Sequence, residues 1–133
     1  MRIKITLAML AAAVTATAGL AAMATPASAD GEVCDVPGSV ITGNLFPNVI
    51  TGTPYNDVIY GGGGNDTIDG GGGADIIYGE NGDDVIRGGG CDDKMFGQNG
   101  NDKIDGQAGL FDYGDGGALA DVCSPATETQ VSC

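Results

Sequence analysis

From Cys34 onward every ninth residue falls into a column, and the eighth place of each nine-residue unit is filled by Ile41, Ile50, Ile59, Ile68, Ile77, Ile86, Met95 and Ile104. An apolar column held over eight units is incompatible with an unstructured chain, and a period of nine leaves room for one turn and one short strand per unit. The sixth place reads Ser39, Asn48 and then aspartate without a break: Asp57, Asp66, Asp75, Asp84, Asp93 and Asp102. The first place is glycine in every unit from Gly43 to Gly106.

One unit buries too little to fold alone, so the units must stack. The glycine-rich first six residues are expected to turn, because glycine adopts positive φ at no steric cost. The last three, such as Thr67-Ile68-Asp69, alternate outward, inward, outward as a short strand. Two units then complete a coil, strands 18 residues apart in sequence stack in parallel about 4.8 Å from one another, and the isoleucine column becomes a thin core between two sheets. Right-handed winding is the default for such crossovers. The expected class is all-β, a right-handed parallel solenoid.

Charge sets the conditions for that collapse. The start "MRIK", the apolar stretch from Ile5 to about Ala24 and the small residues Ala27 and Ala29 form a secretory signal peptide over residues 1–29. Thr15, Thr17 and Gly19 dilute its apolar run, and it lacks the basic stop of a membrane anchor. Cleavage after Ala29 leaves three bases (Arg87, Lys94, Lys103) against 18 acids, a net charge of −15 on the 104 residues that follow. Such a chain lacks the Lys and Arg needed to neutralise nucleic-acid phosphates or dock on anionic lipid. Crowding its carboxylates into a compact body without counterions is costly.

"GGGGNDTID" (61–69) and "GGGGADIIY" (70–78) match the nonapeptide G-G-x-G-x-D-x-U-x, with U a large aliphatic, at every fixed position. "GENGDDVIR", "GGGCDDKMF" and "GQNGNDKID" each depart from it at one or two places. The chain therefore resembles the RTX (hemolysin-type calcium-binding repeat) family over residues 52–105, and more loosely over 34–124. The resemblance implies a parallel β-roll whose turns hold Ca²⁺, with the turn carbonyls of Gly61, Gly63, Gly70, Gly72, Gly79, Asn81, Gly88 and Gly90 completing the coordination shells. The residues themselves suit the ion: Ca²⁺ takes six to eight hard oxygens, carboxylate and carbonyl among them. Turns 18 residues apart share an edge, which pairs Asp57 with Asp75, Asp75 with Asp93, Asp66 with Asp84 and Asp84 with Asp102, about four full sites. Aspartate is also an ordinary turn residue, but turn preference alone would admit Asn and Ser to the column. Residues 30–51 are expected to cap the roll with degenerate units, and 106–133 to cap its other end. There "GQAGLFDYGD" slips by one residue, which moves Asp112 off phase, and "GGALADVCS" recovers the pattern with Asp121 and Cys123; Asp112 and Asp121 are doubtful ligands.

The two sheets differ outside. On one, the ninth place carries Tyr60, Tyr78 and Phe96 beside Val58, Ile76 and Lys94; on the other it carries Asp69, Arg87 and Asp105, neighbours of alternating charge. The aromatic row is either a ladder stacked within its sheet or a contact face for a glycan, a cell-wall polymer or another protein. Four cysteines in an exported chain are expected to oxidise. Cys123 and Cys133, ten apart, would close the C-terminal cap. Cys34 and Cys91 lie three coils apart, roughly 14 Å at sheet spacing, beyond bridging distance unless the leader folds back along the roll. Free thiols or a bond from Cys91 to the tail are the alternatives.

Catalysis has little to work with. The sequence holds no histidine, which excludes Ser-His-Asp and Cys-His arrangements and the usual zinc sites. No Lys-Ser/Thr follows the glycine runs, so they are not phosphate loops. The chain reads as a non-enzyme: a secreted, extracellular calcium-binding module, structural or adhesive, without membrane insertion, whose folding is coupled to calcium. The second class is an accessory or partner-binding subunit of a separate secreted enzyme or toxin.

Overall fold

The computed structural model describes residues 34–124, 129–131 and 133; the expected signal peptide lies outside the described residues. Eleven strands follow one another: β1 Pro37–Asn44, β2 Val49–Thr51, β3 Asn56–Gly63, β4 Thr67–Gly71, β5 Ile76–Asn81, β6 Val85–Gly90, β7 Lys94–Asn99, β8 Lys103–Ala108, β9 Tyr113–Ala118, β10 Val122–Cys123 and β11 Thr129–Val131. They alternate between two parallel sheets, of order β1-β3-β5-β7-β9-β11 and β10-β8-β6-β4-β2. The molecule is a parallel β-roll, and among the described residues it has no helix.

The nine-residue period fixes the register. Ile59 sits opposite Ile77 and Ile77 opposite Met95 in one sheet, while Ile50, Ile68, Ile86 and Ile104 face one another in sequence in the other. Six of these side chains, Ile59 to Ile104, are buried to within 1% and meet between the sheets as a core one residue thick.

The strands are longer, and the turns shorter, than expected. In β3 the inward positions are Asp57, Ile59, Gly61 and Gly63, so the first-place glycine extends the strand and only three or four residues turn, as at 64–66 or 72–75. Inward alternation simply continues past the isoleucine, because a residue without a side chain fits where the core narrows toward its edge. Positive φ falls at the second and fourth places, as at Gly62 (104°) and Gly64 (87°).

The slip near residue 110 is absorbed without loss of register. Lys94 pairs with Tyr113 and Lys103 with Val122, one residue more than the usual 18. One Asp92 carboxylate oxygen accepts from both the Leu110 and the Phe111 backbone N–H, at 2.9 and 3.1 Å, and so takes up the extra residue in the turn.

Cys34 is bonded to Cys91 with the Cα atoms 5.7 Å apart, across 57 residues of sequence. The three-coil distance assumed that Cys34 keeps its place in the repeat. It does not: the register of β1 breaks between Pro37 and Val40, Val36 accepts from the Asn56 N–H at 2.9 Å, and the preceding residues reach along the turn edge to Cys91. Cys123 and Cys133 are also joined, with Cα atoms 5.7 Å apart.

Candidate metal centre

Each sixth-place aspartate begins the inward alternation of its strand, which turns its carboxylate under the turn. Asp57, Asp66, Asp75, Asp84, Asp93 and Asp102 are all no more than 2% exposed. In every case Oδ1 accepts a backbone N–H from the coil before: Asp57 donates to Asp75 at 2.7 Å, Asp66 to Asp84 at 2.7 Å, Asp75 to Asp93 at 2.8 Å and Asp84 to Asp102 at 2.8 Å. The pairs expected from the 18-residue spacing are thus in contact, through main chain on one side and carboxylate on the other. Ser39 and Asn48 donate to Asp57 and Asp66 in the same way and start the two columns.

Asp112, expected to be off phase, and Asp121, expected to recover the pattern, both stand in the same columns. Asp93 donates to Asp112 at 2.9 Å and Asp102 to Asp121 at 2.8 Å. The 19-residue final coils restore them, and the aspartate columns run to the end of the roll.

The second carboxylate oxygen is the unusual atom. Oδ2 of Asp66, Asp75, Asp84, Asp93, Asp102 and Asp121 is buried and receives no hydrogen bond. A buried polar atom left without a donor costs about 1–3 kcal/mol, and more when it is charged. Burial accordingly pushes the Asp75 carboxyl up to about 7, that of Asp84 to about 6 and that of Asp93 to about 8, and raises that of Asp102. In each the donated backbone N–H opposes the rise, and neighbouring carboxylates add to it.

The first-place glycine is fixed by the same atom. A Cβ on Gly61 would stand 2.6 Å from Asp66 Oδ2 and 2.6 Å from the Gly79 carbonyl oxygen one coil on. The arrangement recurs at Gly70 with Asp75 and the Gly88 carbonyl, at Gly79 with Asp84 and the Gly97 carbonyl, and at Gly97 with Asp102 and the Gly116 carbonyl. First-place carbonyls therefore gather beside the donor-less oxygens. Those of Gly79 and Gly88 were expected there; those of Gly61 and Gly70, also expected, stand instead beside Asn48 Oδ1 and the Thr53-bonded Asp57 Oδ2, and those of Gly97 and Gly116 follow from the register of the last coils. The third-place residues Gly63, Asn81 and Gly90 instead sit at strand ends, Gly63 opposite Asn81 and Gly90 opposite Ala108, while Gly72 lies in a turn. Gly61→Ala is expected to destabilise the roll by about 2–4 kcal/mol, because backbone and a buried carboxylate must both move. Thermal unfolding of the variant beside wild type measures it.

Among the described residues no three carboxylate or cysteine side chains converge on one point. An ion held here would draw on one or two carboxylates and several main-chain carbonyls. That donor set is all hard oxygen, which fits Ca²⁺ and not a thiophilic metal.

The aromatic row spends its ring faces internally. Tyr60 and Tyr78 stack at 5.1 Å and 9°, Tyr78 and Phe96 at 5.1 Å and 13°, and Tyr113, which stands opposite Lys94 in the neighbouring column, leans on Phe96 at 5.6 Å and 49°. All four rings are half-buried. Stacked along the roll they turn edges outward, whereas sugar stacking needs an open face. On the other sheet Asp69, Arg87 and Asp105 lie opposite one another in register.

A family model described as the RTX calcium-binding nonapeptide repeat (4 copies) matches residues 42–77 and 69–104. Comparison with curated proteins finds none that matches the chain. The matched span holds six nine-residue units, three coils, with the aspartates from Asp57 to Asp102 and the isoleucine core beneath them. Over residues 42–104 the chain carries the RTX calcium-binding nonapeptide repeat.

Proposed function

We propose that this β-roll is an extracellular structural module that folds around calcium and depends on it. Asp66, Asp75, Asp84, Asp93 and Asp102 ligate through Oδ2, Asp57 heads its column with an Oδ2 that already accepts from the Thr53 N–H and hydroxyl, Asp112 and Asp121 extend the series, and first-place carbonyls from Gly79 to Gly116 complete the shells. The observation that carries this reading is the column of buried carboxylate oxygens without a donor. Calcium, when bound, supplies the positive charge that such a column needs. The protein's part is to hold each Oδ1 on a backbone N–H, which fixes the carboxylate, and to keep first-place side chains out of the way.

Export is supported by the signal-like residues 1–29 and by four cysteines joined in two bonds. A structural role is favoured over an adhesive one because the aromatic faces are occupied by one another. With a core one residue thick, binding free energy becomes folding free energy. Circular dichroism of a calcium titration at neutral pH tests the coupling: a cooperative gain of β signal is expected at about 0.1–1 mM, the range of extracellular modules. A β-rich spectrum that persists after exhaustive chelation would refute it.

A further inference from the structure

The repeat notation leaves the fifth place free, yet the structure uses it. On the edge carrying Asp66, Asp84, Asp102 and Asp121, the fifth-place side chain accepts the backbone N–H of the fifth-place residue one coil later: Asp83 donates to Asn65 Oδ1 at 3.2 Å, Asn101 to Asp83 Oδ1 at 2.9 Å and Ala120 to Asn101 Oδ1 at 3.3 Å. The Asn101 side-chain amide also donates to Asp83 at 3.1 Å. This outer ladder runs opposite to the inner one. The inner carboxylates accept from the coil before, the outer side chains from the coil after, so each joint between turns is clasped from both sides.

On the other edge Ala74 donates to Asn56 Oδ1 at 2.9 Å, and Leu110 and Phe111 donate to Asp92. Between these, the rung from residue 74 to residue 92 has no side-chain oxygen, because Ala74 carries only a methyl group. The joint of Asp75 with Asp93 keeps the inner bond and the Lys94 N–H to Asp75 carbonyl bond whose counterparts recur in the other coils, but it has no outer rung. Cys91, in the same turn as Asp93, ties that turn to Cys34.

We propose that the fifth-place side chain positions the calcium turn one coil on, and that the joint of Asp75 with Asp93, lacking that rung at Ala74, is the weakest calcium site of the roll. The inference rests on the calcium reading above. The rung needs an acceptor oxygen and no charge, since Asn65, Asp83 and Asn101 serve alike. It acts before the ion arrives, by setting the turn whose carbonyls and carboxylate must converge. At this joint the disulfide stands in for the missing rung.

The test is calorimetric calcium titration of the full chain and of Ala74→Asn, Asn101→Ala and Asn101→Asp. In wild type one site separates as weaker than the rest. Ala74→Asn tightens that site about fivefold, as one added hydrogen bond allows, and leaves the others unmoved. Asn101→Ala weakens a site on the opposite edge by a similar factor, and Asn101→Asp restores it, which general stiffening of the roll would not produce. If calcium binds but Ala74→Asn and Asn101→Ala both leave every site unchanged, the positioning role is overturned while the calcium reading stands. If wild type takes up no calcium, the calcium reading falls and this inference with it.

Discussion

Stripped of calcium, the chain is expected to be β-rich near pH 4 and to lose that structure as the pH is raised to 8. The direction is the reverse of ordinary acid denaturation, and its sign follows from the buried carboxyls. Burial lifts Asp84 to about 6, Asp75 to about 7 and Asp93 to about 8 from an ordinary value of 3.8. The folded state therefore holds protons that the unfolded chain has released, and between these limits stability falls as pH rises. The contribution is complete below about 4, the unfolded value, and is lost as the pH passes through 6, 7 and 8 in turn. The charges of Asp57 and Asp69 reinforce the effect on Asp75, and those of Asp75, Asp112 and Asp92 reinforce it on Asp93.

Protons and calcium then compete for the same oxygens. At saturating calcium the pH dependence should flatten, and calcium binding at pH 6–7 should release protons, seen as a dependence of the apparent binding enthalpy on the buffer's own ionisation enthalpy. Circular dichroism of the decalcified chain from pH 8 down to 4 checks the main claim. A chain equally unfolded across that range would show that the donor-less oxygens do not govern folding.

Much of this was legible in the sequence, and the residues say why. The columns from Ile59 to Ile104 and from Asp57 to Asp102 each report one strand position, so period and register could be read directly. The turn length could not. A first-place glycine looks the same in a turn as at the inward end of a strand, and only the approach of Asp66 Oδ2 and the Gly79 carbonyl to Gly61 shows which it is. The fifth place was invisible because Asn, Asp and Ala alternate there without a pattern until the 18-residue hydrogen bonds are seen. Counting nines put Asp112 off phase, whereas the roll tolerates a tenth residue when Asp92 can hold two adjacent N–H groups.

The irregularities of the repeat concern one region. Ala74, Cys91, Asp92 and the slip near residue 110 all lie on the edge that carries Asp75, Asp93 and Asp112, while the opposite edge keeps both ladders from Asn65 to Ala120. One edge is regular and held by repeats of the same bond; the other departs from the repeat and is tied covalently. The departures are thus not scattered decay of the motif but are collected where a cross-link bears on them.

Breaking that cross-link should shift calcium dependence more than any single surface change. In the chain-entropy account a bond closing a loop of 57 residues stabilises by about 4 kcal/mol, and one closing ten by about 3 kcal/mol. Because folding and binding are coupled, the loss is made up by calcium. Spread over about four ions, 4 kcal/mol is roughly 1 kcal/mol each, or about a fivefold rise in the calcium midpoint. The variant Cys34→Ser with Cys91→Ser should therefore need about five times more calcium to fold, and Cys123→Ser with Cys133→Ser about three times. The first pair also releases the leader from the turn of Asp93, so its excess calcium demand should fall again when Ala74→Asn supplies the missing rung. The second pair should show no such rescue, since Cys123, paired with Ile104 in β10, and Cys133 lie at the C-terminal end of the roll, away from the joint of Asp75 with Asp93. Calcium midpoints by circular dichroism for the four variants decide the matter: a midpoint for Cys34→Ser with Cys91→Ser within twofold of wild type would mean that the leader contributes nothing to holding the roll closed.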